Sequence, residues 1–349
     1  VHNNGGNFYS RANAFQKMGF DTFTSKEMMD IQNYTPNGNW ATDDILVGET
    51  IKAMDSTPDQ SDMVYTITVS SHGDYPTTKL IENPVYATSG AADEGAENAW
   101  DYYVHQLHEV DNFMANLINE VNKRDEDTMI VFFGDHLPTM GLTNADMKSG
   151  DIYKTKYVTW NNFGLEKQDA DLYSYQLLAH VTDQLGIHEG TIFNYHQTQM
   201  NSEDYYDGFE NLQYDLLYGS RYSYHGEDLY PASDLVMGID DIVINSMHES
   251  IDGSELIIEG SGFTKWSRVY VNDEKVSTTY SSGNCLTIDT NGLKDGDTIV
   301  VNQVGSSNTI FRSSNEMTYE KAETTENTEG TERTETSDIE SQDSDSDAQ

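Results

Sequence analysis

The feature that most constrains this chain is a strand-like run, a long helical pattern and a second strand-like run in succession. Met63-Val64-Tyr65-Thr66-Ile67-Thr68-Val69 is apolar and β-branched, the composition of a strand buried on both faces of a parallel sheet. From about Glu97 to Lys123, residues Trp100, Tyr103, Val104, Leu107, Val110, Met114, Leu117, Ile118 and Val121 form one apolar stripe at helical spacing. Met129-Ile130-Val131-Phe132-Phe133 then reads as a second buried strand. Strand, crossover helix, strand predicts an α/β sheet covered by helices. Ligands of such sheets sit beyond the carboxyl ends of the strands.

Two polar clusters occupy that position, Ser70-Ser71-His72-Gly73 and Gly134-Asp135-His136. Both strands therefore deliver a histidine to one edge. Asp135 and His136 offer an oxygen and a nitrogen ligand suited to Mn²⁺ or Zn²⁺, and Gly134 lets the backbone turn tightly before them. Read in isolation, the pair serves equally well as a turn cap.

The texture changes from about Gly238 to Tyr319. Short alternating segments such as Glu255-Leu256-Ile257-Ile258-Glu259 and Thr298-Ile299-Val300-Val301 are separated by Gly and Asp/Asn turns, which predicts a small β-sandwich. The run Gly260-Ser261-Gly262-Phe263 with Val269-Tyr270-Val271-Asn272 resembles the immunoglobulin-like IPT/TIG modules. From Glu320 to Gln349 the chain repeats Thr, Glu, Ser and Asp with almost no apolar residues, so it reads as a disordered spacer. Three units follow: 1–234, 238–319 and 320–349.

A formal charge of −41 repels phosphate backbones and argues against nucleic acid as a partner. No run approaches the roughly 18 apolar residues of a membrane span. The lone Cys285 excludes an internal disulfide framework. The opening residues, Val1 to Asn7, read as the middle of something, so a fragment or processed form is expected.

Phe132-Phe133-Gly134-Asp135-His136-Leu137-Pro138 resembles the sulfatase-like branch of the alkaline phosphatase superfamily. Within that branch, Thr66-Ile67-Thr68-Val69-Ser70-Ser71-His72-Gly73 looks like the strand and histidine of lipoteichoic acid synthases. Asn4-Gly5-Gly6-Asn7-Phe8-Tyr9-Ser10-Arg11, followed by Met18-Gly19-Phe20-Asp21, resembles their substrate-binding segment. The three motifs keep the family's order across Val1 to about Gly186.

The resemblance implies a divalent metal, manganese in most cases with Zn²⁺ or Mg²⁺ as substitutes, held by Glu, Thr, Asp and His. Asp135 and His136 match the last two ligands. The Glu and the nucleophilic Thr are expected upstream of Val1, so this portion alone is expected to be inactive. His72 would sit beside the phosphoglycerol, donating to phosphoryl oxygens or shuttling a proton to the departing oxygen. Arg11 matches the arginine of the phosphoglycerol site, where a guanidinium fork suits phosphate oxygens. Tyr9 stands where the family commonly carries Trp, and Asn4 falls near an acidic or amide position. The implied activity transfers phosphoglycerol from phosphatidylglycerol to a glycerophosphate polymer through a threonine-linked intermediate. It would run on the outer face of a bacterial membrane, with the anchor upstream.

Two alternatives stay open. One is a sulfatase or phosphoethanolamine transferase of the same superfamily, for which a Cys-x-Pro-x-Arg motif would lie upstream. The other is a non-catalytic surface protein whose scaffold and β-sandwich bind a wall polymer or partner. Arg11, His72, Asp135 and His136 together argue for the enzyme. His105 and His108 on the long helix read as packed or solvent-facing, and Tyr205, Tyr206, Tyr214, Tyr218, Tyr222 and Tyr224 read as a packed closing segment.

Overall fold

The computed structural model describes residues 1–227 and 231–321. From residue 322 on, the expected acidic spacer lies outside the described residues. The elements in chain order are α1 (Arg11–Lys17), β1 (Thr22–Phe23), α2 (Ile45–Asp55), α3 (Glu94–Val121), β2 (Met129–Phe133), β3 (Tyr157–Asn161), α4 (Ser174–Gln184), α5 (Thr191–Gln199), α6 (Tyr205–Leu217) and β4 (Val236–Met237). After them come β5 (Val243–Glu249), β6 (Glu255–Ser261), β7 (Ser267–Val271), β8 (Glu274–Lys275), β9 (Thr279–Ser282), β10 (Cys285–Asp289), β11 (Thr298–Val304), β12 (Ile310–Ser313) and β13 (Met317–Thr318). The chain is thus mixed α/β, with antiparallel sheets concentrated toward its carboxyl end.

The 28-residue α3 starts where Asp93 caps it, its side chain accepting from Ala96 N at 2.8 Å. Its buried face is Ala99, Tyr102, Gln106, Phe113, Leu117 and Val121. That face shares only Leu117 and Val121 with the expected stripe. The difference has a polar cause: Gln106 turns inward because its amide donates to Ser70 O at 2.9 Å, and the helix rotates with it. Phe113, Leu117 and Val121 close a core with Met29, Ile31, Ala41 and Leu46.

β2 has the expected bounds but pairs antiparallel with β3, from Met129 against Asn161 to Phe133 against Tyr157. Along the expected strand Met63–Val69 only Ile67 bridges a neighbour, in parallel with His2, which also bridges Ser25. The missing ladder has an accounting in hydrogen bonds. Ile67 N donates to Val1 O at 3.0 Å, whereas Val69 N and Ser70 N donate to the buried carboxylate of Asp43 at 2.8 and 3.1 Å. A side chain has taken the place of a neighbouring strand.

Near the carboxyl end, one sheet has the order β5-β6-β10-β9 and a second the order β12-β11-β7-β8, with β13 also on β11. Alternate residues face inward, and Ile244, Leu256, Ile258 and Leu286 from the first sheet meet Val269, Ile299 and Val301 from the second in one core. This is a sandwich. It rests on the amino-terminal segment. Thr264 Oγ1 donates to Glu27 O at 2.8 Å, Lys265 Nζ to Ile31 O at 2.9 Å, and Asn7 Nδ2 to Thr309 Oγ1 at 2.8 Å. A Cβ on Gly6 would lie 2.7 Å from Phe311 Cζ, and one on Gly305 would also strike that ring. Both positions are therefore closed to side chains.

The tyrosine-rich closing segment differs from expectation. Only Tyr205 is buried, its hydroxyl bonded to His196 Nδ1 at 2.8 Å and to Gln176 Nε2 at 2.9 Å. Tyr206 and Tyr214 are exposed because α6 buries only Tyr205, and Tyr218 and Tyr222, beyond the end of α6, are exposed as well.

Candidate active site

The loop ahead of α1 is built to present Arg11. Tyr9 and Ser10 both adopt left-handed backbone, φ 52° and 54°, a conformation that costs a bulky residue roughly 1 kcal/mol or more. Its result is that Tyr9 stands 77% exposed while the Arg11 guanidinium carbon lies 5.4 Å from its ring centroid and 5.7 Å from that of Phe8. Arg11 Nη1 is buried without a hydrogen-bond partner. Desolvation lowers the Arg11 pKa, with Tyr65 and Tyr9 opposing it. A buried guanidinium donor with no acceptor is a site that an anion completes. Asn4 is spent locally, its Oδ1 accepting from Gly5 N at 2.8 Å.

His72 ends the segment that Asp43 holds. Its Nδ1 contacts Gly73 O at 2.9 Å, and Trp40 Nε1 donates to the same carbonyl at 3.0 Å. A carbonyl only accepts, so Nδ1 carries a proton, and in the neutral ring Nε2 presents the lone pair. Trp40 lies edge-on to the ring at 5.4 Å. Asp43 itself accepts from Asn3 Nδ2 at 2.9 Å as well as from Val69 and Ser70, tying the Arg11 loop to the His72 segment. Burial raises the Asp43 pKa against the pull of those donors.

His136 follows β2 and is oriented in the same way, Nδ1 on Leu137 O at 2.8 Å, which leaves Nε2 as the nitrogen open to a ligand. Asp135 Oδ2 lies 3.8 Å from that Nε2, and both side chains are solvent-accessible. Two donors with bonds of about 2.1 Å to one ion stand at most about 4.2 Å apart, so the pair is within reach of a single ion. Among the described residues no third His, Cys, Asp or Glu joins them. This chain's residues fit one half of a divalent centre of mixed O/N character.

Tyr65 connects the halves. Its ring is parallel to that of Phe133 at 6.5 Å and edge-on to Phe15 of α1 at 6.3 Å. Burial raises its hydroxyl pKa, the charge of Asp135 adds to the rise, and Arg11 opposes it. His72 and His136 meet edge to face at 6.3 Å. The rings of His136, His72 and Trp40 thus form one row, and Tyr65 sets Phe15 of α1 beside Phe133, two residues before Asp135. Sequence reasoning passed over Tyr65 and Trp40. Tyr65 could have been found as the polar-tipped member of the run that ends at His72; Trp40 sits in an Asn-rich turn with no comparable signal.

Residues 1–187 match the Sulfatase family, more than half of the chain. The chain belongs to the sulfatase family. A Rhizobium meliloti (strain 1021) protein named "Putative cyclic beta-1,2-glucan modification protein" is 26% identical over 265 residues, covering 64% of this chain and 41% of that protein. Among solved structures, the Streptococcus pyogenes phosphoglycerol transferase GacH in complex with sn-glycerol-1-phosphate shares the fold, with TM-score 0.54 and 16% identity. That likeness covers 66% of this sulfatase-family chain and 64% of GacH. The chain therefore spans well under two thirds of its curated relative and slightly less than two thirds of GacH.

Proposed function

We propose that this sulfatase-family chain carries the substrate-holding half of a phosphoglycerol transferase. The carrying observation is the buried, unpartnered Nη1 of Arg11 at the head of α1, whose Phe15 lies edge-on to Tyr65, the ring parallel to Phe133 two residues before Asp135. Arg11 binds the phosphoryl oxygens and Tyr9 walls the glycerol. His72, its Nε2 free, accepts a proton from the attacking hydroxyl or returns one to the departing oxygen. Asp135 and His136 supply two ligands of a divalent cation, with Mn²⁺ favoured by the mixed O/N donors. Such an ion, when bound, polarises the phosphoryl oxygen and lowers the pKa of a coordinated hydroxyl. The threonine of the covalent intermediate is not among the residues that converge here.

The donor on this reading is phosphatidylglycerol on the outer face of a bacterial membrane, and the acceptor is a glycerophosphate polymer, as in lipoteichoic acid synthesis. A second acceptor, a glucan hydroxyl, is favoured by the printed name of the Rhizobium meliloti relative. The test uses the protein as its gene encodes it, with phosphatidylglycerol vesicles and Mn²⁺. Diacylglycerol release that requires Mn²⁺ and Arg11 supports the reading. Sulfate release from aryl sulfates, or no turnover with any donor, overturns it. Supplying polymer or glucan as acceptor separates the two acceptors by which product gains phosphoglycerol.

A further inference from the structure

Where the sandwich meets the Arg11 loop there is a cavity of about 640 Å³ whose walls come from both. Its charge runs against that of the molecule. In a chain of net charge −41, the charged residues lining it are Lys26, Arg268 and Lys275 against the single acid Glu27. Glu27 is buried, and its Oε2 already accepts from Gly6 N at 3.0 Å and Ser25 Oγ at 2.6 Å.

The three cations lack carboxylate partners among the described residues, whereas at least seven other Lys and Arg side chains, Lys52 and Arg124 among them, have one within 4.0 Å. Arg268 Nη1 donates to Lys265 O at 2.9 Å and Ser267 O at 2.7 Å, which fixes the guanidinium and leaves its other nitrogens free to donate. Lys275 Nζ touches only the neutral Asn308 Oδ1, at 2.7 Å, and Lys26 Nζ lies 6.0 Å from the Trp266 ring centroid. The cavity also adjoins the Arg11 loop, because Tyr9 lines it and lies against Arg11.

We propose that this cavity is a binding site for a polyanionic chain of phosphodiesters, the incoming acceptor polymer, with successive phosphates on Arg268, Lys275 and Lys26 and the chain end directed past Tyr9 toward Arg11. The proposal rests on the transferase reading for its role, while the binding itself stands apart from it. A neutral glycan has no use for three unpaired cations, and isolated phosphate has no use for a cavity that spans them.

The test measures binding to the full chain by calorimetry, with a synthetic glycerophosphate trimer, sn-glycerol-1-phosphate and a neutral β-1,2-glucan oligomer as probes. The expected result is that the trimer binds more tightly than the monomer and weakens steeply with salt. Arg268→Ala with Lys275→Glu should weaken the trimer by about tenfold or more while leaving the monomer unchanged. Lys275→Glu alone, at an exposed position that cannot disturb the core, should weaken it severalfold. Trimer affinity unchanged in both variants, or a glucan oligomer that binds as well as the trimer, overturns the proposal. Trimer binding that depends on these cations, with no monomer binding in any form, sinks the transferase reading and leaves the polyanion site standing. Monomer binding that depends on Arg11, with a trimer indifferent to Arg268 and Lys275, does the reverse.

Discussion

His72 and His136 stand edge to face, their ring centroids 6.3 Å apart and their planes at 79°, although the whole of α3 separates them in the chain. Each is fixed by Nδ1 on a nearby carbonyl, so in each Nε2 is the nitrogen left for a ligand. Their assigned roles differ, and substitution should separate them. In the protein as its gene encodes it, His136→Ala should abolish both retention of Mn²⁺ and turnover. His72→Gln should lower turnover by about 10²- to 10⁴-fold with Mn²⁺ content unchanged. Equal loss of metal in the two variants, read by elemental analysis, would show that both are ligands.

Arg11 gives a prediction that needs no turnover. Arg11→Lys keeps the charge but loses the fork, and should weaken sn-glycerol-1-phosphate binding by about tenfold or more. Calorimetry on the purified chain reads it. A lysine variant that binds as well as the native chain would mean that the orphan guanidinium nitrogen is not the ligand donor.

Asp43 accepts from the amides of Val69 and Ser70, which a smaller side chain would leave buried without that acceptor, and from Asn3 Nδ2, which also donates to Ala41 O and Thr42 O. Asp43→Ala should cost about 2–4 kcal/mol of stability in urea unfolding. It should also weaken sn-glycerol-1-phosphate, since Asn3 and Ser70 lie on the two segments that Asp43 joins. A destabilised variant with native affinity would place the coupling elsewhere.

His2 is only 2% exposed, with Nδ1 on Ile67 O at 2.8 Å, and desolvation lowers its pKa from 6.5 to about 4. Between those values the unfolded chain takes up a proton that the folded chain refuses. The contribution to stability is therefore complete above about pH 6.5 and is lost as the pH falls toward 4, by at most roughly 3 kcal/mol. Urea midpoints of the native chain and His2→Asn should converge as the pH is lowered through that window. Parallel curves would contradict the assignment.

Gly6→Ala places a methyl against Phe311. It should cost about 1–3 kcal/mol as the ring is displaced. Phe311→Ala should suppress that penalty in a double-mutant cycle, read from thermal midpoints.

The sequence was most legible where chemistry is local. β2 begins and ends as the run Met129–Phe133 requires, although its residues are half-buried to exposed where the composition predicts full burial. The alternation of β6 and β11 disclosed the sandwich for the same reason, since period two needs no distant partner to be seen. What stayed hidden depends on single side chains acting across the fold. The segment Met63–Val69 has strand composition, but Asp43 captures the amides of Val69 and Ser70, and no pattern within the segment announces that. The face of α3 was misjudged because Gln106, a polar residue, has its partner in Ser70, far away in the chain. Tyr65 is hard to see as part of the site because its position depends on Phe133 and Phe15, which approach it from either side.

The ring of Phe311, confined by Gly6 on the Arg11 loop and by Gly305 on the sandwich, makes the change of texture near residue 238 a poor place to cut. Three positions scattered over the whole length of the chain must be inherited together. Grafting this sandwich onto a cousin with a side chain at either glycine would twist the loop that carries Tyr9 and Arg11, so an exchange of modules would register first as a change in what the enzyme accepts.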